Sequence, residues 1–208
     1  MASVEVSALP FLPERISITS LREAARSCRG CPLFKHATQT VFGKGRTSAR
    51  IVLVGEQPGH EEDLAGEPFV GPAGRVLDRG LAAAGIARSD AYVTNVVKHF
   101  KWEPRGNRRL HKKPNAREIA ACLPWLDQEI ELIRPRVLVL LGATAAQALL
   151  GRSFRVTVDR GKVLPSHLAD HAVATVHPSS ILRQRTEAER RDEMERFIDD
   201  LGVVAKLL

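Results

Sequence analysis

The chain has 208 residues, 44% of them hydrophobic, with 31 Lys and Arg against 24 Asp and Glu and a formal charge of +7. That length and apolar content suit one globular domain over residues 1–208. No apolar run approaches the ~20 residues that span a bilayer, so the composition excludes a membrane-spanning chain, and the positive excess favours a polyanionic partner.

The opening "MASVEVSALPFLPER" lacks a basic start followed by an apolar core, so no secretory signal and a cytoplasmic location are expected, with residues 1–15 loosely ordered. "ARIVLVGEQPG" is a buried strand ending in a sharp turn at Gly55 and Glu56. "GPAGRVLDRGLAAAGI" is a helix with Val76, Leu77, Gly80, Leu81 and Ala84 on one face, and "AYVTNVVKH" is the second strand. Residues 99–114 form a polar, basic loop long enough to point to function. "NAREIAACLPWLDQEIELI" is a helix with Asn115 as N-cap and Glu118 three residues on, a capping-box pattern. "RVLVLLG" is a third strand, "ATAAQALLG" a short helix, "HAVATVHPSS" the last strand, and "TEAERRDEMERFIDDLGVVAKLL" a closing amphipathic helix.

Short apolar strands alternating with helices predict an α/β fold, a three-layer α/β/α sandwich around a central four-stranded parallel sheet. Ligands of such sheets bind beyond the carboxyl ends of the strands. There the sequence places Glu56 and Gln57, Asn95, Gly142, and His177 with Pro178 and Ser179. Acid, amide and imidazole are thus expected to converge on one edge.

Between positions 98 and 117 there are eight Lys or Arg and a single acid, Glu103, and "ILRQR" is a second basic cluster. Two such patches suit nucleic acid. Three cysteines, Cys28-x2-Cys31 and Cys122, cannot pair completely as disulfides, and a Cys-x2-Cys turn is the usual corner of a zinc or iron–sulfur site. His99 is the best-placed fourth ligand; spacing alone does not choose between zinc and iron.

Taken in order, "GEQPG", "PFVGPAGRVLD", "VTNVVKH" and "HPSSILR" resemble the uracil-DNA glycosylase superfamily, and with the cysteine frame its iron–sulfur branch. The pattern "VKHFK…RRLH" resembles the X-type members, which become covalently joined to uracil-DNA. The X-type loop usually reads Lys-Arg-Arg-Ile-His; here it is Asn107-Arg108-Arg109-Leu110-His111, with Leu110 expected to keep the apolar anchor and Asn107 to remove one phosphate contact at most. The resemblance implies a [4Fe-4S] cluster on Cys28, Cys31, His99 and Cys122, and uracil-containing DNA, single- or double-stranded, as partner with no obligate protein partner.

It also implies roles for individual residues. Phe69 would stack on the flipped uracil, Asn95 would pair with its N3–H and O4, and backbone groups around Gly55 and Gln57 would contact the base. His177 would donate to O2 as negative charge develops, and Glu56 with Gln57 would stand beside the sugar. Arg108, Arg109, Lys112, Ser179 and Ser180 would hold phosphates, with Leu182 or Arg183 as the wedge left in the base stack. His111 would stand where water attacks in an ordinary glycosylase and would capture C1′, with Glu56 taking a proton from the opposite ring nitrogen. Two alternatives remain at this point: a turnover glycosylase in which His111 only steadies substrate, and a non-catalytic DNA-binding module with a structural Cys3His metal site.

Overall fold

The computed structural model describes residues 6–208. In chain order the elements are α1 (Ile18–Ala25), β1 (Ile51–Gly55), α2 (His60–Ala65), α3 (Pro72–Ala83), β2 (Ala91–Asn95), β3 (Trp102–Arg105), β4 (Arg108–His111), α4 (Ala116–Ile133), β5 (Val137–Leu141), α5 (Ala143–Leu150), α6 (Val156–Asp159), β6 (Val163–Leu164), β7 (His171–Thr175), α7 (Pro178–Leu182) and α8 (Glu187–Ala205). The main sheet runs β2-β1-β5-β7-β6. Its first four strands are parallel, and the two-residue β6 pairs antiparallel at the edge. The sheet therefore has five strands rather than the four expected, because a strand as short as Val163–Leu164 carries no period that sequence can register.

Alternation along each strand splits the core into two layers. Val52 and Val54 pack with Trp125, Leu126 and Ile130 on one face, while Ile51 and Leu53 pack with Leu77, Leu81, Phe197 and Leu201 on the other. Helix α3 buries Val76, Leu77, Gly80 and Leu81 as its spacing requires, and Asn115 and Glu118 form the capping box that opens α4. Among the described residues no helix is long and apolar enough to cross a membrane.

Two stretches differ from the sequence reading. The second strand ends at Asn95, and residues 96–100 continue as buried irregular chain, fastened by Val96 N–H to Gly55 O and Val97 N–H to Glu56 O. The expected basic loop is instead a two-stranded hairpin, β3 against β4, with Trp102 opposite His111 and Arg105 opposite Arg108. Gly106 makes the turn at φ +58, a left-handed conformation that suits glycine at the first position of a two-residue hairpin turn. At the N-terminus, the expected looseness does not extend to Ala8, which is 1% exposed and donates its N–H to Ala121 O; residues 1–5 lie outside the described residues.

Candidate active site

A cleft of about 760 Å³ opens at the carboxyl edge of the parallel strands, and Glu56, Gln57, Phe69, Asn95, His111 and His177 all line it. The expected convergence of acid, amide and imidazole is therefore met, with the hairpin bringing His111 in from outside the sheet.

Asn95 is 2% exposed, and its Oδ1 is a buried acceptor with no hydrogen-bond partner among the described residues. An orphaned buried acceptor costs stability unless something else fills it. Asn95 is among the residues that line the cleft. The main chain of Asn95 is held from behind, where Lys98 Nζ donates to Asn95 O at 2.7 Å. Lys98 is itself fully buried and paired with Glu129, which also accepts from Tyr92 and Thr94 hydroxyls. Gly55 explains the close approach of Asn95 and Phe69: a Cβ there would lie 2.4 Å from Asn95 Oδ1 and 2.7 Å from the Phe69 ring. Phe69 is buried at the cleft base with φ +57, a strained conformation for an aromatic residue of the kind that collects at binding sites.

His177 Nδ1 accepts the Ser179 N–H at 3.2 Å and contacts Ser179 Oγ at 2.8 Å. An accepting Nδ1 places the ring proton on Nε2. The imidazole is thus a neutral donor, and burial, reinforced by the nearby Arg183 and His111, lowers its pKa to about 4. Ser179 Oγ also accepts from Arg183 at 2.8 Å, and Ser180 Oγ donates to His177 O at 2.7 Å. These two hydroxyls, expected on phosphate, are engaged in holding the His177 turn.

His111 lies half exposed with Nε2 at 2.9 Å from Gln57 Nε2 and 3.6 Å from Glu56 Oε1. Gln57 Oε1 accepts from Lys101 N–H, which fixes the amide so that its nitrogen faces the ring, the Lys101 carbonyl and the Lys112 carbonyl. The Gln57 amide therefore sets the tautomer, with a lone pair on His111 Nε2, and Glu56 approaches that same nitrogen rather than the opposite one. The Gln57 side chain braces the hairpin base through its bonds to Lys101 and Lys112. Burial lowers the His111 pKa and Arg183 adds to this, against an opposing pull from Glu56, so the neutral imidazole is favoured near pH 7.

Arg109 corrects a second expectation. Instead of reaching for phosphate it points inward beside His111, two residues away on the same face of β4. Its guanidinium donates to Asp63 Oδ2 at 2.6 Å, Thr38 Oγ1 at 3.2 Å and His60 Nδ1 at 2.7 and 2.9 Å, and it lies 5.4 Å from the Phe100 and Trp102 rings. It clamps the hairpin onto α2. The alternate residues face out: Arg108 is exposed, and Leu110, expected as an anchor, is 43% exposed. Lys112 makes a surface pair with Glu103 at 2.8 Å; Arg183 is exposed and lines the cleft, and its neighbour Leu182 is exposed on the surface.

Away from the cleft, Cys28, Cys31 and Cys122 are buried free thiols within one core layer. Trp125 Nε1–H donates to Cys28 Sγ at 3.3 Å and Lys98 N–H to Cys122 Sγ at 3.2 Å. Burial raises the Cys31 thiol and pushes Cys122 up to about 12, with the neighbouring cysteines adding to both. His99 follows β2 by four residues rather than ending it, and burial lowers its pKa to about 4. Its Nε2 stands 3.0 Å from Thr40 Oγ1, whose own proton goes to Ala25 O at 2.8 Å. Nε2 must then be the donor, which leaves a lone pair on Nδ1. Among the described residues no three His, Cys, Asp or Glu side chains gather closely enough to hold a single metal ion.

Sequence reasoning missed His60, Asp63, Lys98, Glu129 and Thr144. Only Lys98 left a signal, a cation inside the otherwise apolar "VTNVVKHF".

Comparison with known proteins gives this architecture its relatives. A type-4 uracil-DNA glycosylase of Thermotoga maritima is 41% identical over 174 residues, covering 83% of this chain and 87% of that protein. One from Pyrobaculum aerophilum is 38% identical over 176 residues, 81% and 86% of the two chains, and a type-5 enzyme of Thermus thermophilus is 32% identical over 201 residues, 88% and 85%. The family model described as the uracil DNA glycosylase superfamily matches residues 42–202, which span the whole sheet, the hairpin and the cleft, and the chain belongs to that superfamily.

Proposed function

We propose that this protein is a uracil-DNA glycosylase that flips uracil out of DNA, cleaves its glycosidic bond and is captured at C1′ by His111, as in the X-type enzymes. The observation that carries the capture is the placement of the His111 Nε2 lone pair in the same cleft as Asn95, Phe69 and His177.

A flipped uracil lies against Phe69 with N3–H on the orphaned Asn95 Oδ1. The C1′–N1 bond breaks with its electron pair leaving on uracil, and His177 Nε2–H donates to O2 as that charge develops. A donor of this kind is typically worth 10²–10³ in rate. The sugar is left as an oxocarbenium ion, which the Glu56 carboxylate stabilises. His111 Nε2 then forms a bond to C1′, and the resulting imidazolium gives up its Nδ1 proton to solvent. An alkylated imidazole has no primary amine from which to form an imine, so the enzyme stays on the abasic sugar. Arg108, Lys112 and Arg183 are the cations suited to hold the phosphates, and Leu182, exposed beside Arg183, is the apolar residue suited to fill the stack.

The donor set of Cys28, Cys31, Cys122 and the His99 Nδ1 lone pair fits a [4Fe-4S] cluster. In such a cluster each ligand holds a different iron, so the donors need not crowd round one ion as they would for zinc. Its role here is to tie the N-terminal segment and α4 to the chain that leads into the hairpin.

One observation favours a second reading, a turnover glycosylase. The Gln57 amide already occupies the His111 Nε2 lone pair, as it would if the ring only steadied substrate. A denaturing gel of protein with uracil-containing single-stranded DNA separates the readings: a shifted band marks capture, alkali-labile nicking without it marks turnover, and neither marks a binding module.

A further inference from the structure

Glu56 faces the cleft from the end of β1, and a carboxylate on a flexible side chain needs something to aim it. Among the described residues the Thr144 hydroxyl is the only hydrogen-bond donor to that carboxylate, and it donates to Oε2. The other oxygen, Oε1, is the one nearest His111 Nε2. Thr144 is the second residue of α5 and only 6% exposed, whereas the Glu56 side chain is 20% exposed. The hydroxyl is therefore fixed by the helix while the carboxylate is the movable partner.

The attachment of α5 to the site is also tight. Gly142, just before the helix, takes φ +94 and donates its N–H to Thr175 O at 2.8 Å. A Cβ at Gly142 would lie 2.9 Å from His177 Cβ. The start of α5 is thus wedged between the ends of β1 and β7, and the helix N-terminus adds a favourable field for a carboxylate.

We propose that Thr144 is a positioning residue for the glycosylase reaction: its hydroxyl holds Glu56 Oε2 so that Oε1 faces His111 and the space where C1′ arrives. The proposal rests on the role given to Glu56 above, though not on covalent capture, since uracil release alone can report it.

The test is a double-mutant cycle read by single-turnover uracil release, with DNA affinity measured separately. Thr144→Val is nearly isosteric and removes the donor. It should slow release about 10- to 100-fold, the range that corresponds to one hydrogen bond to a charged group, and leave the DNA Kd within about twofold. Thr144→Ser restores the hydroxyl and should recover release to within about threefold of the unmodified protein. In a Glu56→Ala background there is no carboxylate left to aim, so Thr144→Val should add less than about twofold. Unchanged release in Thr144→Val, or an equal loss in both backgrounds, would overturn the proposal, the latter by assigning the effect to α5 itself. If Glu56→Ala alone releases uracil at the full rate, the role of Glu56 falls and the proposal falls with it, a result distinct from failure of the Thr144 arm. Should Thr144→Val not fold, Thr144→Ala against Thr144→Ser carries the same comparison.

Discussion

Replacing Arg109 by alanine removes the clamp that docks the hairpin without touching Phe69, Asn95 or His177. The guanidinium is 17% exposed, and its partner Asp63 is fully buried. After the change, among the described residues, the Asp63 carboxylate keeps only the Thr38 N–H, at 3.0 and 3.1 Å to its two oxygens. Breaking a buried pair by removing one partner costs about 3–5 kcal/mol, and the residual exposure of Arg109 places this pair near 3 kcal/mol. At about 1.4 kcal/mol per factor of ten, hairpin docking weakens by up to about 100-fold. His111 rides on that hairpin, whereas Phe69, Asn95 and His177 do not. Adduct formation should therefore slow about 10- to 100-fold while uracil release changes less than about threefold, and the freed fraction should appear as alkali-labile abasic sites. Single-turnover reactions run in parallel on denaturing gels and by uracil release measure both rates. Unchanged adduct formation would refute the clamp, and a parallel loss of both rates would mean that the hairpin acts before bond cleavage.

Asn95→Ala should lower uracil release by several orders of magnitude while iron content stays unchanged, because the orphaned acceptor sits apart from the thiols; release near the original rate would place the base elsewhere. Protein purified anaerobically should be brown, with broad absorbance near ~400 nm from thiolate-to-iron charge transfer; a colourless protein with stoichiometric zinc would refute the cluster. His177 is held neutral with its pKa lowered to about 4, so as pH falls from about 6.5 toward 4 the unfolded chain gains a proton that the folded one does not, and stability drops by about 3 kcal/mol. Urea unfolding at pH 7 and pH 4.5 should show that loss shrinking in His177→Gln; equal losses in both proteins would remove the histidine from the account.

The parallel strands were readable because continuous apolar runs such as "IVLVG" and "VLVLL" have few other places to go. Their ends located Glu56, Asn95 and His177 for the same reason, since the sheet edge gathers whatever follows each strand. The hairpin was hidden by its charge: "RGNRRLH" has the turn glycine and the alternation of a hairpin, but a basic run reads first as a solvated loop. Arg109 could not be placed because its partners, Asp63, His60 and Thr38, lie 46 to 71 residues away in sequence. The contacts of Gln57 with His111 and of Thr144 with Glu56 were invisible for a similar reason. Each acts by touching another side chain, and only tertiary packing says which one.

The most direct test of the account is His111→Ser against single-stranded DNA carrying one uracil, followed on a denaturing gel with and without alkali. Serine removes the imidazole and leaves room for water beside C1′, while Glu56, Asn95, Phe69 and His177 remain. The covalent band expected of the unmodified protein should vanish, and alkali-labile nicking should appear and continue over many turnovers. Survival of the covalent band in His111→Ser would contradict the account, because another residue would then be the nucleophile.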